Sequence, residues 1–539
     1  MYIGEKVNDE MLDRRKWWAL VAVCFGLFMA LLDVTIVNVA LPSIQSSLNA
    51  SFSSLEWVIN AYTLVFAVAL VPAGRLGDIY GRKTLFIIGI GVFTFGSLLC
   101  GLSGNFTIPG LSHISMLNIS RGIQGLGASA MMPLSLAIIS ATFTGKQRGI
   151  AIGIWGGVSG LATAIGPFVG GLLIAAINWK AIFFLNVPIG VLGIFMSLWA
   201  VQESRDESAN RKIDVFGIVT ISIFMFCLIY GLIKVNDPSQ GWTSPHILIL
   251  FAISVAALIV FIIGELKMKN PMVDPRLFKI PSYTGAAIAA FCLSAGLYAL
   301  LFYLSIYLQN ALSFTALETG LRLLPLSMLS FLLGPVAGAM MGRTGPKWLI
   351  FIALSFLTVG VWLMSVISPA HQPTDWIILL PGLIVSGIGN GLINPPLSDL
   401  AVGTVERNRA GMASGVNNVC RQLGVAFGTA FFGAILANRY THSVVNKIKA
   451  MDTTISEEAN EKMIYGISQA GPIAGSKGFE DADQYANYFQ DSTLFDSIGE
   501  AAHGSFIEGT SNIIQIAAII LGLGAIFSLF LIRNKDLKG

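Results

Sequence analysis

The chain alternates between long apolar segments and short polar connections along most of its length. Each apolar segment has about the 20 residues that an α-helix needs to cross a bilayer. The pattern therefore predicts fourteen membrane-spanning helices and an all-α integral membrane protein. The predicted spans cover residues 17–41, 57–77, 84–103, 114–138, 148–174, 180–202, 213–233, 246–266, 281–309, 316–341, 347–368, 375–400, 409–436 and 511–532.

The positive charges favour one orientation of this bundle. With both termini placed in the cytoplasm, 23 of the 33 Lys and Arg residues fall on the cytoplasmic side, 7 on the outer side and 3 within spans. Five of those 7 lie in one long loop, where charge has little effect on topology. We therefore expect a multi-pass protein of the cytoplasmic membrane with both termini inside.

Two polar turns indicate an internal repeat. Gly74–Lys83 joins spans 2 and 3, and the similar Gly338–Lys347 joins spans 10 and 11, 264 residues later. Parallel repeats of this kind are typical of transporters whose halves rock about a shared site. The predicted divisions are a cytoplasmic N-terminus at 1–16, a six-helix half at 17–202, two inserted linker helices with their loops at 203–280, and a second six-helix half at 281–539 that includes a long outer loop at 439–509.

That outer loop carries 11 acidic residues against 5 basic ones. Two stretches, 456–469 and 482–508, have the pattern of amphipathic helices. They are interpreted as a solvated helical hairpin, and the alternative is a role in attracting cations or gating the outer mouth.

The composition narrows the class of protein further. Hydrophobic residues make up 54% of the chain and charged residues 12%, about half the roughly 25% of a soluble domain. The net charge of +3 argues against a nucleic-acid partner. The five cysteines are scattered through apolar runs without paired spacing, so we expect no metal site. We also see no nucleophile–base pair and no phosphate-binding Gly-rich loop, so we expect neither an enzyme nor a bound organic cofactor.

Asp33 is the most informative residue, because it lies inside the apolar span 1. A carboxylate at mid-membrane costs about 2.5–3.5 kcal/mol on insertion scales. Arg121 in span 4 lies at nearly the same depth, since each residue is about seven or eight positions from the outer end of its helix. Buried charges in membranes pair with one another. We predict that Asp33 and Arg121 approach, directly or through water and Gln124; the alternative is that Arg121 extends to the membrane surface.

Such a pair has the properties of a proton switch. Burial disfavours the charged carboxylate and a nearby guanidinium favours it. If Asp33 and Arg121 separate as the halves move, the acid should take up a proton, and if they approach it should release one. We therefore expect protons to be the coupling ion, with Asp33 and Arg121 as the coupling residues.

The turn between spans 2 and 3 contains Gly74, Asp78, Gly81, Arg82 and Lys83. Its glycines permit a tight turn, and Asp78 and Arg82 have the i,i+4 spacing of a helical ion pair. We interpret this turn as a latch that holds one conformation. The alternative is a plain turn with solvated charges.

Other polar and small residues interrupt the spans. Polar and aromatic side chains are candidates for lining a cavity, although packing or an interfacial belt explains any single one equally well. The candidates are Asn38, Trp57, Tyr62, Gln124, Trp155, Tyr298, Tyr303, Gln309, Asn417 and Arg421. In span 5, Gly166, Pro167, Gly170 and Gly171 let backbones approach closely and loosen the helix, which indicates a packing or hinge surface.

Together these motifs resemble the major facilitator superfamily. Gly74–Lys83 is similar to its signature loop, the Arg121–Gly127 segment to its span-4 motif, and Gly166–Gly171 to the span-5 motif of its antiporters. Leu32–Pro42 and Phe184–Gly190 are similar to elements of the fourteen-helix drug:proton antiporter branch, the QacA/EmrB type. The resemblance implies the major facilitator fold, and it implies that Asp33 takes part in proton coupling and Arg121 in controlling its protonation.

The sequence thus predicts a proton-coupled antiporter that exports small amphiphilic compounds by alternating access. We expect the lipid bilayer and a small-molecule substrate as its partners, and a monomer. Spans 9 to 13 carry no acid at mid-membrane, and Arg322 and Arg421 would repel cations from a cavity, so the charge of the substrate stays open. The alternatives are a dedicated exporter of an endogenous lipid or metabolite, a proton-coupled uptake symporter and a non-transporting receptor or scaffold.

Overall fold

The protein folds almost wholly as helices joined by short turns. The computed structural model describes residues 2–48, 50, 52–105, 110–205, 214–235, 241–268, 271, 273–369, 373–406, 410–450, 472, 492–533 and 536. Its α-helices are α1 Tyr2–Leu48, α2 Phe52–Tyr80, α3 Arg82–Leu102, α4 His113–Thr142, α5 Gly145–Ala176, α6 Ala181–Ala200, α7 Val215–Lys234, α8 Pro245–Lys267, α9 Pro281–Leu293, α10 Ala299–Ile306, α11 Ala316–Leu363, α12 Leu380–Gly403, α13 Ala410–Ala450 and α14 Ser492–Leu531. Helices suit a bilayer because they satisfy every backbone hydrogen bond internally.

The predicted all-helical fold is confirmed. Within the described residues, twelve helical stretches are long and apolar enough to cross a membrane. One of these, Leu317–Val366, contains the predicted spans 316–341 and 347–368, which meet at Gly345. α5 corresponds to another predicted span, 148–174. The helices are therefore compatible with fourteen crossings.

The predicted span 281–309 is less regular than its sequence indicates. α9 leads into a π-helical segment, Ser294–Tyr298, and α10 leads into a second one, Tyr307–Ala311. A π-helical turn widens the helix, and such turns occur frequently at functional sites. The sequence predicts only one continuous apolar span here.

The internal repeat is visible in the backbone of the two duplicated turns. Gly81, between α2 and α3, has φ 123°, and Gly345, at the kink within α11, has φ 71°. The two glycines lie 264 positions apart, which is the offset of the repeat. Only glycine adopts such φ values readily, so both turns depend on this residue.

The two halves pack closely through α5 and the first part of α11. A Cβ atom at Gly153 would lie 2.6 Å from the carbonyl oxygen of Gly334, and one at Gly157 would lie 2.9 Å from that of Phe331. Near the other end of α5, a Cβ at Gly171 would lie 3.4 Å from Leu317. Small residues therefore bring the two helices together along most of their length, as in other membrane bundles.

The inserted helices lie at the side of the bundle. α7 packs against α8 and also contacts α2 and α13. Most of the large side chains of α8 are exposed, among them Ile249, Val255 and Ile259, as expected of a helix that faces lipid.

The predicted outer loop 439–509 begins and ends in helix. Residues 439–450 continue α13, and residues 492–509 belong to α14. Lys447 Nζ and Ser443 Oγ donate to the carboxylate of Glu508 at 2.9 and 2.8 Å, which joins the two helices. The predicted amphipathic helix 456–469 lies outside the described residues.

Candidate functional site

Asp33 and Arg121 form a buried ion pair between α1 and α4. Arg121 Nη1 donates to Asp33 Oδ2, and the side chains are 1% and 0% exposed. The predicted approach of these two residues is therefore direct and needs no bridging water. Since both lie within apolar spans, the charges neutralise each other where water is scarce.

Two amides and a hydroxyl complete the surroundings of the carboxylate. Gln124 Nε2 and Asn186 Nδ2 donate to Asp33 Oδ1 at 2.8 and 3.1 Å. Each amide also donates to Ser97 Oγ at 3.0 Å. Gln124 Oε1 in turn accepts a hydrogen bond from Arg121 Nη1 at 2.7 Å. The carboxylate of Asp33 is thus held by three donors from α4 and α6, and its orientation is fixed.

The guanidinium of Arg121 has further partners on α2. Its Nε donates to the carbonyl oxygen of Val58 at 2.9 Å, and its Cζ lies 4.4 Å from the centroid of the Tyr62 ring. Tyr62 is itself fixed by a hydrogen bond from its hydroxyl to the carbonyl oxygen of Ala30 at 3.2 Å. The site therefore joins five helices, α1, α2, α3, α4 and α6, and any movement among them changes its geometry.

Glycines of α5 bring that helix against α1 beside Asp33. A Cβ at Gly166 would overlap the hydroxyl of Thr35, and one at Gly170 would lie 2.8 Å from Ile36. The predicted packing residues Gly166 and Gly170 thus contact α1 at Thr35 and Ile36, which are two and three positions after Asp33 in the sequence. Gly171 faces the other half at Leu317, and the side chain of Pro167 lies outside the described residues.

The Asp78 turn links the two halves. Arg82 Nε donates to Asp78 Oδ1 at 2.8 Å, and the backbone N–H of Met412 donates to Asp78 Oδ2 at 2.9 Å. Asp78 is 0% exposed and Arg82 is 3% exposed, so these are buried contacts. Met412 lies in the first turn of α13, where a carboxylate is favoured by the helix dipole. Asp78 therefore caps a helix of the opposite half.

The i,i+4 spacing of Asp78 and Arg82 is that of a pair within one helix. In the structure, however, the two residues make their contact across the turn between α2 and α3. α2 ends at Tyr80, Gly81 takes a positive φ of 123°, and α3 begins at Arg82. Lys83 Nζ donates to the carbonyl oxygen of Leu198 at 2.8 Å, which ties the turn to α6. Gly74 lies within α2, one turn before Asp78.

Glu203, just after α6, holds the beginning of α3. Its carboxylate accepts from the backbone N–H groups of Lys83 and Thr84 at 3.0 and 3.1 Å, and from the Thr84 hydroxyl at 2.6 Å. A carboxylate at a helix N-terminus is stabilised by the unpaired N–H groups there. Glu203 thus keeps the Asp78 turn in place.

A second ion pair joins the halves at the same end of the bundle. Arg148 Nη2 lies 3.1 Å from Asp399 Oδ1, and these side chains are 14% and 23% exposed. Together with the contact between Asp78 and Met412, it closes this end, which we call the Asp78 end. The distribution of Lys and Arg predicts that the Asp78 end is cytoplasmic.

The second half contains a polar cluster without a carboxylate among its described members. Tyr298 Oη donates to Asn390 Oδ1 at 3.2 Å, Asn394 Nδ2 donates to Tyr298 Oη at 3.3 Å, and Arg421 Nη1 donates to Asn394 Oδ1 at 2.9 Å. Asn390 Nδ2 also donates to Ser330 Oγ at 3.0 Å. The predicted cavity residues Tyr298 and Arg421 therefore lie together, where the first π-helical segment, α12 and α13 meet.

Sequence comparison establishes the family. The sequence profile described as Major Facilitator Superfamily matches residues 23–429. The chain belongs to the major facilitator superfamily. It is consequently a transporter that acts on small molecules within a membrane, and not an enzyme.

Relatives and solved structures of this major facilitator agree with the assignment. The chain is 36% identical over 428 residues to "Multidrug resistance protein Stp" of Mycobacterium tuberculosis (strain CDC 1551 / Oshkosh), covering 79% of this chain and 77% of the relative. It is 30% identical over 530 residues to "Tetracenomycin C resistance and export protein" of Streptomyces glaucescens, covering 96% and 92%. The structure of the proton:xylose symporter XylE superposes with a TM-score of 0.60 at 12% identity, covering 97% and 96%, which shows the shared fold.

Other predicted cavity residues of this major facilitator are occupied in packing. Trp57 lies against Tyr230 of α7 with ring centroids 5.9 Å apart, and Trp155 Nε1 donates to Ser135 Oγ at 2.9 Å. Tyr303 Oη donates to the carbonyl oxygen of Thr429 at 2.6 Å. Each of the three residues therefore has a packing or hydrogen-bond partner, and a role in lining a cavity stays a prediction.

The remaining candidates differ in what the structure records of them. Gln309 is half-buried in the second π-helical segment, and Asn417 is buried beside the polar cluster of the second half. The side chain of Asn38 lies outside the described residues. Arg322 stacks on Phe314, with its Cζ 3.4 Å from the ring centroid, near the beginning of α11.

One surface recess of the transporter is lined by none of the predicted site residues. Its volume is about 600 Å³, and it lies between α13 and α14 beside Trp242, Trp362 and Arg439. The charged candidates Asp33, Arg121 and Arg421 lie instead in the two polar clusters described above.

Sequence reasoning missed several residues of the site. It gave no role to Asn186, Ser97, Asn390, Asn394 or Glu203. A usable signal existed for Asn186, Asn390 and Asn394, since each is an isolated amide in an apolar span and buried amides in membranes usually hydrogen-bond to neighbouring helices. No local pattern indicates that Glu203 would reach α3.

Proposed function

We propose that this transporter exports small amphiphilic compounds across the cytoplasmic membrane in exchange for protons, by alternating access. The observation that carries the proposal is the fully buried ion pair of Asp33 and Arg121 inside the membrane-spanning region. Ionisable residues at this depth are rare because they are costly, and they mark ion or proton pathways.

The charge balance of the pair explains how protonation could drive a conformational change. With Asp33 ionised, the pair is neutral and tolerates burial. With Asp33 protonated, Arg121 is left as an uncompensated cation, and breaking a buried pair in this way costs roughly 3–5 kcal/mol. Protonation therefore favours a conformation in which the site is open to water. In the proposed cycle Asp33 takes a proton from outside and releases it to the cytoplasm.

α2 supplies a mechanical link between the proton site and the opposite half. It carries the carbonyl oxygen of Val58 that accepts from Arg121, and twenty residues later it carries Asp78, which holds Met412. Twenty residues of helix span about 30 Å. A shift of α2 caused by loss of the Asp33–Arg121 pair would therefore reach the Asp78 end, where it would release or restore the contact between halves.

The names of the relatives support export of drug-like compounds. One relative is described as a multidrug resistance protein and another as a resistance and export protein for tetracenomycin C. Gly166 and Gly170 in α5 pack against Thr35 and Ile36 of α1, and their resemblance to the antiporter motif favours antiport over symport. A dedicated exporter of an endogenous lipid or metabolite and an uptake symporter are the alternatives that the test must separate.

The test uses everted membrane vesicles in which a pH gradient, acid inside, is imposed. Four compounds of different charge are offered separately: ethidium, Nile red, carboxyfluorescein and tetracenomycin C. The proposal expects the native protein to accumulate at least one of them only while the gradient persists. Asp33→Asn should abolish this accumulation, whereas the control Glu500→Gln, which alters an exposed carboxylate of α14, should retain it.

A second variant guards against loss of folding. Asp33→Asn leaves Arg121 unpaired, whereas Asp33→Asn combined with Arg121→Gln removes both charges and should fold more readily. Gradient-driven accumulation by the double variant would contradict the proposal. Export of none of the four compounds would favour a dedicated cargo and contradict multidrug export, and gradient-driven loss of compound from the vesicles would indicate a symporter.

A further inference from the structure

Arg421 is a cation without an acidic partner among the described residues. It lies eleven residues into α13, about 16 Å along the helix from Ala410 and so near the middle of the membrane. Its Nη1 donates to Asn394 Oδ1 at 2.9 Å, but its Nη2 is buried and has no hydrogen-bond partner there. The Arg421 side chain is half-buried, and a guanidinium with a buried terminal nitrogen is normally neutralised, as Asp33 neutralises Arg121. The site of Arg421 therefore lacks a negative charge.

A second unsatisfied group lies on the same face of α13. Asn417 is four residues before Arg421, which places the two side chains one above the other. Asn417 is 3% exposed, and its Oδ1 is buried without a hydrogen-bond partner in the described part of the chain. Buried polar atoms are nearly always paired, so two orphaned groups on one helix face indicate a missing partner.

The neighbouring groups are neutral and can hydrogen-bond to a ligand. Tyr298 and Asn394 share a hydrogen bond at 3.3 Å, and Asn394 also contacts Arg421. Tyr298 closes the first π-helical segment, Ser294–Tyr298, and such segments occur frequently at functional sites. The cluster therefore has one fixed positive charge, several neutral donors and acceptors, and an irregular helix beside it.

The cluster lies between the halves and does not face lipid. A Cβ at Gly156, on α5 of the first half, would lie 3.3 Å from Asn394 Cβ. On α13, six residues before Arg421, Gly415 approaches α2: a Cβ at this glycine would lie 3.6 Å from the carbonyl oxygen of Leu70. This is where alternating access would expose a bound compound.

We propose that Arg421 binds an anionic oxygen of the exported compound, such as a carboxylate, while Asn417 Oδ1 accepts a hydrogen bond from a donor group of the same compound. This inference rests on the proposed export function and names the class of its substrate. The two terminal nitrogens of a guanidinium match a carboxylate in geometry. Such a ligand neutralises Arg421, satisfies Nη2 and places a hydroxyl or amide of the compound within reach of Asn417. A purely cationic compound would meet an uncompensated like charge and should be transported more slowly than one that carries a carboxylate.

The test compares two dyes that differ only at the carboxyl group, rhodamine B and its ethyl ester. Everted vesicles with an acid interior report gradient-driven accumulation of each dye. We expect the native protein to prefer the free acid, and Arg421→Gln to lower transport of rhodamine B by roughly tenfold or more while the ester is unaffected or transported faster. Arg421→Lys, which keeps the charge without the planar fork, should retain part of the preference.

The outcomes separate this inference from the function on which it rests. If the native protein accumulates both dyes and Arg421→Gln leaves their ratio unchanged, the carboxylate site is wrong and proton-driven export stands. If the native protein accumulates neither dye but does accumulate one of the four compounds named above, the carboxylate site is wrong and proton-driven export stands. If it accumulates none of the six compounds under a gradient, the proposed function fails as well. Should Arg421→Gln not fold, the purified native protein decides: rhodamine B should raise its melting temperature and the ester should not, and equal effects would overturn the proposal.

Discussion

Asn186 offers a sharp test of how the carboxylate of Asp33 is stabilised. Its Nδ2 donates to Asp33 Oδ1 at 3.1 Å and to Ser97 Oγ at 3.0 Å. Its Oδ1, by contrast, is buried and has no hydrogen-bond partner among the described residues. Replacing Asn186 by Leu therefore removes one donor to Asp33 and also removes an unsatisfied acceptor. The lost hydrogen bonds of Nδ2 destabilise the fold, and the removal of the buried, unsatisfied Oδ1 stabilises it. Because these two contributions to the free energy of folding oppose each other, Asn186→Leu should still fold.

The size of the effect follows from the lost hydrogen bond. A hydrogen bond to a charged group contributes about 1.5–3 kcal/mol. Because it stabilises only the ionised form of Asp33, its removal favours the protonated form by the same amount. Since about 1.4 kcal/mol is a factor of ten in an equilibrium constant, the ratio of protonated to ionised Asp33 at a fixed pH should rise by roughly ten- to a hundredfold. Gln124 and Arg121 still donate to the carboxylate, so ionisation is not abolished.

Infrared spectroscopy of the purified protein measures this without any substrate. The carbonyl stretch of a protonated carboxylic acid is followed during a pH titration, and the band of Asp33 is assigned by its loss in Asp33→Asn. Asn186→Leu should shift the midpoint of this band upward. Ser197→Ala is the matched control, because Ser197 lies on the same helix and its buried hydroxyl has no hydrogen-bond partner among the described residues. A midpoint unchanged or lowered in Asn186→Leu would refute the assigned role of this hydrogen bond.

Two further predictions concern the Asp78 end and the glycines of α5. Asp78→Asn breaks the buried ion pair with Arg82 and weakens the contact with the Met412 N–H, at a cost of roughly 3–5 kcal/mol, and should separate the halves at this end. Spin labels at Tyr80→Cys and Trp348→Cys, both exposed in the native protein, should then report longer distances by electron paramagnetic resonance, and unchanged distances would remove the latch from the account. Gly166→Ala places a methyl group against the hydroxyl of Thr35 on α1, so it should destabilise the fold by roughly 1–3 kcal/mol and slow transport in the vesicle assay. The control Gly91→Ala, which has open space around the added methyl group, should transport at the native rate. Equal rates for the two variants would contradict a close α1–α5 contact.

The sequence predicts the membrane fold well because lipid restricts the choices. An apolar run of spanning length must be a helix, and the charge asymmetry of the loops orients it. The same restriction makes Asp33 and Arg121 predictable as neighbours, since two opposite charges at equal depth have few other partners. The need for glycine at each duplicated turn is also predictable from the sequence, and Gly81 and Gly345 both take the positive φ that glycine permits.

Side-chain partners from distant segments could not be predicted in this way. Asn186 and Asn394 are visible as isolated amides, but which helix each one faces depends on the rotation of that helix within the bundle. Glu203 reaches Thr84, 119 positions earlier in the chain, through a packing of α6 on α3 that no local pattern encodes. The capping of α13 by Asp78 likewise depends on how the two halves meet.

Proton release on substrate binding tests the central claim most directly. Purified protein in weakly buffered solution with a pH indicator receives the compound that the native protein accumulates most strongly in vesicles. The account predicts that native protein releases protons on binding and that Asp33→Asn binds the compound without releasing any. Equal proton release by the native protein and by Asp33→Asn would show that another group carries the proton, and would contradict the assignment of Asp33.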